Sequence, residues 1–188
     1  FRAAGANAQY NVGARDGSRP GIFYETVPNP LAYNYFSMES LFIHEAIPGH
    51  HFQSGLQVEG DLPEFRKSYW TSAFGEGWAL YAESLGKELG MYTDPYQYMG
   101  RLNNEIERSV RLVVDAGMHH NGWTREQAIA YVLENQPVTE EVAIQRIERY
   151  MVTPGQAVSY KIGELSILAM RKKAQEKMGA KFDIRAFH

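Results

Sequence analysis

Pro48 and Gly49 interrupt a histidine-rich segment that otherwise has helical character, and this interruption limits how the chain can fold. The segment, residues 40–53, reads SLFIHEAIPGHHFQ. Proline breaks helix geometry, and glycine adopts backbone conformations with positive φ that other residues avoid. The sequence therefore predicts one helix over residues 37–47 and a second over about 50–58, with a short break between them.

Histidines on both sides of the break indicate a metal site. In zinc peptidases with the motif His-Glu-x-x-His, two histidines one helical turn apart bind the ion, and the Glu acts on the metal-bound water. Here the position four residues after His44 is Pro48, so the second ligand has to come from beyond the break. Looping out two residues would bring His50 to that place, and looping out three would bring His51. We favour His50, because Gly49-His50 matches the Gly-His that often ends the standard motif.

Glu45 follows His44 directly, in the position of the general base. A simpler interpretation treats these residues as polar groups on a helix face. The surrounding sequence is apolar, however, and burying three imidazoles and a carboxylate without partners is costly. The chain has no cysteine, which excludes disulfides, thiol nucleophiles and Cys-based metal sites. Any zinc here must therefore be bound by His and carboxylate, the ligand set of catalytic sites.

The next long helix, predicted over residues 72–89, offers a third ligand. Glu76 and Glu83 are seven residues apart and lie on one face. Gly75 and Gly77 flank Glu76 and permit close approach to another helix. We predict that Glu76 binds the metal and that Glu83 orients a ligand imidazole through a hydrogen bond. The alternative is that Glu76 only stabilises the helix N-terminus through the helix dipole.

The rest of the chain is predicted to be mainly helical, with one short strand near its start. Residues 1–21 have the composition of turns and loops, whereas residues 22–27 (IFYETV) have that of a strand. The last helix is expected to end at about Met178, before Gly179. One later helix is predicted to start at residues 93–95 (TDP), a cap followed by proline in the first turn. Two more are predicted to start at capping boxes, residues 124–127 (TREQ) and 153–156 (TPGQ).

Composition excludes several classes of protein. The 188 residues are 44% hydrophobic, which is enough for one domain with a core. The net charge of −3 gives no electrostatic footprint for nucleic acid, and no apolar run approaches the roughly 18 residues of a membrane span.

The chain starts at Phe1 and stops at Phe187-His188 without a helix stop, so we expect it to be part of a longer protein. Neither the compartment nor the oligomeric state is indicated.

Polar residues later in the chain are candidates for substrate contacts. Asp115 and His119 are four residues apart on one helix and can touch. A His119 oriented in this way could donate a hydrogen bond to a substrate carbonyl or oxyanion, or it could simply interact with the helix C-terminus; both interpretations stay open. The cations considered for a substrate carboxylate are Lys161, Arg171 and Arg19, although solvation is the commoner role of such residues.

The strings HEAIPGHHFQ, GEGWALYAE, VVDAGMHHNGWTREQA and TPGQAVSYKIG closely resemble the bacterial family called domain of unknown function 885. That family resembles the helical zinc peptidases of the gluzincin type. In the related carboxypeptidase Taq family a Glu that opens a later helix completes the site, and Glu76 is similarly placed. The resemblance implies a helical zinc-peptidase-like fold, with residues 1–188 as the single C-terminal catalytic portion of a longer protein. Such peptidases commonly use a downstream Tyr, which implies a role for Tyr160.

These observations predict zinc-dependent hydrolysis of peptide bonds. The predicted zinc ligands are His44, His50 and Glu76. Glu45 takes a proton from water and passes it to the leaving amine, and Tyr160 and His119 stabilise the oxyanion. One alternative is a non-catalytic helical module whose structural zinc has His51 as a fourth ligand. Another is a metal hydrolase that acts on non-peptide amides.

Overall fold

The structure, a computed structural model of the chain, describes residues 8–25, 27 and 35–188. This part is mainly helical, as expected, and carries a small sheet near the N-terminus. None of the described helices is long and apolar enough to cross a membrane. The helices are α1 (Met38–Glu45), α2 (His50–Glu59), α3 (Glu64–Ser68), α4 (Ser72–Ser84), α5 (Pro95–His119), α6 (Arg125–Asn135), α7 (Glu140–Val152), α8 (Gln156–Met178) and α9 (Ile184–Phe187).

The sheet has two strands rather than the single predicted one. Strand β1 (Ala8–Asn11) pairs antiparallel with β2 (Ile22–Glu25). Residues 8–11 were expected to lie in a loop, because residues such as Ala and Asn have little strand propensity of their own. Pairing with β2 provides the hydrogen bonds that make this segment a strand. The predicted strand ends earlier than expected, since Val27 lies outside it and residue 26 is not among the described residues.

Several predicted helix ends are confirmed, and one helix is shorter than predicted. Asp94 caps α5 by accepting a hydrogen bond from the backbone of Tyr96. The capping box of Thr124 and Gln127 is present at the start of α6. In contrast, α4 was predicted to reach residue 89 but ends at Ser84 and continues as turns.

The second predicted capping box, at residues 153–156, is wrong. The Thr153 hydroxyl donates instead to the carbonyl of Arg149, and Gly155 is the N-cap of α8 with a φ of 82°. The cap comes from a distant residue, because the Asp115 carboxylate accepts hydrogen bonds from the backbone N–H groups of Gly155 and Val158. Asp115 therefore joins α5 to the start of α8.

Helices α4 and α8 pack closely, and this packing places the candidate site. A Cβ atom built on Gly77 would lie 2.4 Å from the Cα of Gly163, so neither position has room for a side chain. The small residues around Glu76 were expected to allow such an approach. The middle of α4 is fully buried, including Leu80 and Tyr81.

A buried ionic cluster joins α5 to α7. The Glu107 carboxylate accepts from the Arg111 guanidinium and pairs with Arg146 at 2.9 Å. Burial would raise the pKa of Glu107, but Arg108, Arg111 and Arg146 together lower it to about 2. Because the folded protein favours the ionised form, the cluster stabilises the fold above the ordinary carboxyl pKa and loses this contribution as the pH falls.

We expect Glu107→Gln to reduce the free energy of unfolding at pH 7 by about 3–5 kcal/mol, because it removes the negative charge paired with the guanidinium groups of Arg111 and Arg146. The difference from the wild type should narrow as the pH falls from about 4.5 to 2, because in this range Glu107 takes up a proton in the unfolded wild type and stays ionised in the folded protein. Urea denaturation of both proteins at a series of pH values measures this. Glu134→Gln, at an exposed position of α6, is the matched control. A difference that stays constant with pH would contradict the prediction.

Candidate metal centre

The break between α1 and α2 depends on tight packing at Gly49. Helix α1 ends at Glu45, the Ile47–Pro48 peptide bond is cis, and α2 begins at His50. Gly49 was expected to adopt a positive φ, but its φ is −75°. Glycine is needed here for space, because a Cβ atom would lie 1.9 Å from the carbonyl oxygen of His44.

This break brings His44 and His50 to one carboxylate. The Oε2 atom of Glu76 lies 3.5 Å from Nε2 of His44 and 3.4 Å from Nε2 of His50. The two imidazole rings meet edge to face, with centroids 4.9 Å apart. One candidate ligand atom from each of the three residues lies within 4.8 Å of the others. The structure thus brings together the three side chains predicted to bind zinc.

The spacing of these atoms fits a tetrahedral ion. Zinc binds His nitrogen and carboxylate oxygen at about 2.0–2.1 Å in tetrahedral geometry, so its ligand atoms are separated by about 3.3 Å. The two distances between Glu76 and the imidazoles are close to this value. Two His nitrogens and one carboxylate are also a donor set found in catalytic zinc sites. The residues present therefore fit a zinc ion.

Glu83 and Ser40 fix the orientation of His44. The Nδ1 atom of His44 donates to Oε1 of Glu83 at 2.7 Å, and the Ser40 hydroxyl donates to the other Glu83 oxygen. All three residues are buried. The hydrogen bond expected between Glu83 and a candidate ligand is thus present, and it leaves Nε2 of His44 directed at Glu76.

The carboxylates control the protonation of this site. Burial alone would lower the pKa of His44, but the adjacent carboxylates of Glu76 and Glu83 raise it to about 9. Burial would raise the pKa of Glu76, but contact with His44 and His50 holds it well below its usual range. Since a metal binds neutral imidazole, an ion entering this site has to displace the proton of His44.

His51, the alternative second ligand, is engaged elsewhere. Its Nδ1 atom is hydrogen-bonded at 2.9 Å to the hydroxyl of Tyr10 on β1, and their rings meet edge to face. Glu45 is half-buried at the end of α1. Within the described part of the chain, the carboxylate of Glu45 forms no hydrogen bond or ion pair.

Residues from α8 complete one side of the site. The Gln156 amide nitrogen donates to Oε1 of Glu76 and to the hydroxyl of Tyr160, both at 3.1 Å. The ring of Tyr160 is stacked on His44, with centroids 6.2 Å apart. Burial, together with the nearby charge of Glu76, raises the pKa of Tyr160. Its hydroxyl therefore stays protonated at neutral pH.

His119 lies in a different environment. Its Nε2 atom donates to the carbonyl of Tyr150 at 3.1 Å and lies 3.5 Å from Asp115, the residue that caps α8. The expected contact with Asp115 is therefore present. Among the described residues, the partners of His119 belong to the ends of α5 and α7 rather than to the candidate centre, which favours a structural role.

Trp70 is a neighbour of the centre that the sequence analysis missed. Its indole ring lies beside His50, with centroids 5.8 Å apart, and covers Gly75 so closely that a Cβ atom there would overlap the ring. The indole is half exposed. Neither the local spacing nor the residue type marks this position, because the contact depends on the turn between α3 and α4.

Comparison with known proteins places the chain among bacterial proteins without an assigned function. Residues 1–188 match the model of a family described as "Bacterial protein of unknown function (DUF885)". The chain is similar to a solved "putative lipoprotein" of Colwellia psychrerythraea at 45% identity with a TM-score of 0.93, covering 100% of this chain and 32% of that one. It is also similar to a "putative lipoprotein of unknown function" of Shewanella oneidensis at 26% identity with a TM-score of 0.75, covering 89% of this chain and 33% of that one. The chain thus spans about a third of the length of each of these two proteins. No curated protein matches it.

We expect His50→Ala to abolish stoichiometric zinc binding and His51→Ala to preserve it. The first substitution removes one of three converging donors, whereas the second removes a hydrogen bond to Tyr10. Metal content after dialysis and the zinc dissociation constant of each purified variant measure this. Loss of zinc from the His51 variant alone would show that the second ligand is misassigned.

Proposed function

The chain belongs to the bacterial DUF885 family of unknown function, and we propose that its site hydrolyses peptide bonds with the help of a zinc ion. One observation carries the proposal: two imidazoles from α1 and α2 and a carboxylate from α4 converge, and both nitrogen–oxygen distances are close to those between tetrahedral zinc ligands. Three protein ligands leave a position for water, which distinguishes a catalytic from a structural site.

When bound, zinc supplies Lewis-acid chemistry: it lowers the pKa of a water molecule and polarises a carbonyl group. Glu45 is the proposed general base, because it follows His44 directly and no described residue occupies its oxygens. It takes a proton from the attacking water at its carboxylate and passes it to the nitrogen of the leaving amine.

Tyr160 is the proposed donor to the developing oxyanion. Its hydroxyl oxygen accepts a hydrogen bond from Gln156, so its own proton is free to be donated to a substrate. The raised pKa keeps that proton in place at neutral pH. A donor aimed at developing negative charge contributes about 2.7–4 kcal/mol of transition-state stabilisation. We assign no catalytic role to His119, since its partners are the carbonyl of Tyr150 and the carboxylate of Asp115 rather than a residue of the candidate centre.

The alternative of a structural zinc site has less support. It requires a fourth protein ligand, and the residue predicted for that role, His51, is bonded to Tyr10. Within the described residues the cluster of candidate ligands has three members. Hydrolysis of a non-peptide amide would use the same groups, and no specific observation favours it.

We expect Glu45→Gln in the full-length protein to retain zinc and to lose amide-bond hydrolysis by about 10²- to 10⁴-fold, because it removes the proton acceptor and keeps the size of the side chain. Zinc content and the rate of hydrolysis of a mixed peptide library are measured on the same samples. Glu59→Gln, at the exposed end of α2, is the control and should retain both properties. Undiminished hydrolysis by the Glu45 variant would refute the proposed mechanism.

A further inference from the structure

The cations first considered for a substrate carboxylate all have partners within the protein. Lys161 pairs with Glu105 and Glu164 at 2.8 and 2.6 Å. Both terminal nitrogens of Arg171 bond to Glu88, and Arg19 donates to the backbone carbonyl of Val12 at 2.7 Å. A substrate carboxylate would have to displace these bonds, so another cation is a better candidate.

Arg108 on α5 is a largely buried cation with few partners. Its side chain is 13% exposed. Its Nε atom is buried and finds no hydrogen-bond partner among the described residues. Its Nη1 atom has only a 3.5 Å hydrogen bond to the carbonyl of Asn104 and a 3.9 Å contact with Glu107. A guanidinium has five N–H donors, so most of those of Arg108 are unused within the described part of the chain.

The neighbouring Arg111, in contrast to Arg108, forms short hydrogen bonds through its guanidinium group. Arg111 donates from Nε to the Tyr150 hydroxyl at 2.9 Å and from Nη2 to Glu107. Both guanidinium groups lie near the ring of Tyr160, Arg111 at 4.8 Å and Arg108 at 5.7 Å from its centroid. Arg111 is thus fixed by short hydrogen bonds, whereas Arg108 has only the long contacts with Asn104 and Glu107.

Arg108 is close to the candidate metal centre. It contacts the ring of Tyr160, which is stacked on His44. Its positive charge also contributes to the pKa values of both His44 and Glu83. The two oxygens of Glu83 are hydrogen-bonded to Ser40 and His44. Glu83 is therefore not the hydrogen-bond partner of Arg108.

We propose that Arg108 binds a carboxylate group of the substrate next to the scissile bond. This inference rests on the proposed function, and it defines the substrate class as peptides with a carboxylate near the cleavage point. Burying a guanidinium with most of its N–H donors unused is costly. Its planar fork matches the two oxygens of a carboxylate in a bidentate pair. The carboxylate is either the free C-terminus of the peptide or the side chain of an adjacent acidic residue.

Binding measured without turnover tests this proposal. Three tripeptides are titrated calorimetrically into zinc-loaded full-length protein carrying Glu45→Gln: Ala-Ala-Ala with a free C-terminus, the same peptide amidated, and amidated Ala-Ala-Glu. We expect a peptide with a carboxylate to bind more tightly than amidated Ala-Ala-Ala. Tighter binding of the first peptide identifies the C-terminus as the recognised group, and tighter binding of the third identifies a side chain.

Adding Arg108→Met should weaken binding of the preferred carboxylate peptide by about 30-fold or more and leave that of amidated Ala-Ala-Ala unchanged. Arg108→Lys keeps the charge and should recover part of the affinity. Arg171→Met is the control and should have no effect. Zinc content and circular dichroism confirm that each variant is folded and loaded.

Equal binding of all three peptides, or an equal loss for charged and amidated peptides in Arg108→Met, would overturn the proposal. The outcome is separate from that of the proposed function. If the protein with Glu45→Gln hydrolyses peptides as fast as the wild type, the catalytic mechanism fails, and the same titrations on the metal-free protein then decide the role of Arg108 without turnover.

Discussion

The contact of Gly49 with the backbone of α1 is the constraint on which the candidate site depends. A Cβ atom at this position would overlap the carbonyl oxygens of Ile43 and His44, so the chain can turn back here only with glycine. The turn starts α2 at His50 and brings its imidazole to the same carboxylate that His44 meets. A longer turn would start α2 later and change which histidine reaches the carboxylate.

Helix α4 supplies the charges that make burial of His44 favourable. Glu83 bonds to Nδ1 of the imidazole and Glu76 faces Nε2, so both nitrogens are satisfied from one helix. Hydrogen bonds to charged groups contribute about 1.5–3 kcal/mol each, which offsets much of the cost of removing the ring from water. The seven-residue spacing of the two carboxylates lets one helix hold both edges of the ring. The contact of Gly77 with Gly163 then fixes how far α8 lies from these groups.

Sequence reasoning succeeded where the signal is local. The helix break was predicted from Pro48 and Gly49, and the convergence of His44 with Glu76 and the hydrogen bond that His44 donates to Glu83 were predicted from the ligand pattern of zinc-peptidase motifs. It failed where a residue distant in the chain provides the partner. Strand β1 exists because β2 pairs with it, and Asp115, 40 residues away from Gly155, replaces the expected local cap of α8. The unused donors of Arg108 likewise appear only once its neighbours on other helices are known.

The hydrogen bond from Gln156 to Glu76 has a consequence for the choice of ion. It occupies Oε1 and leaves Oε2 as the oxygen that faces the two imidazoles. The second proton of the same amide is directed to Tyr160, so the amide cannot turn away without losing both bonds. Calcium needs six to eight oxygen ligands, usually including carboxylates that bind through both oxygens. A carboxylate restricted to one oxygen beside two nitrogens disfavours such an ion and selects for the borderline-soft divalent metals.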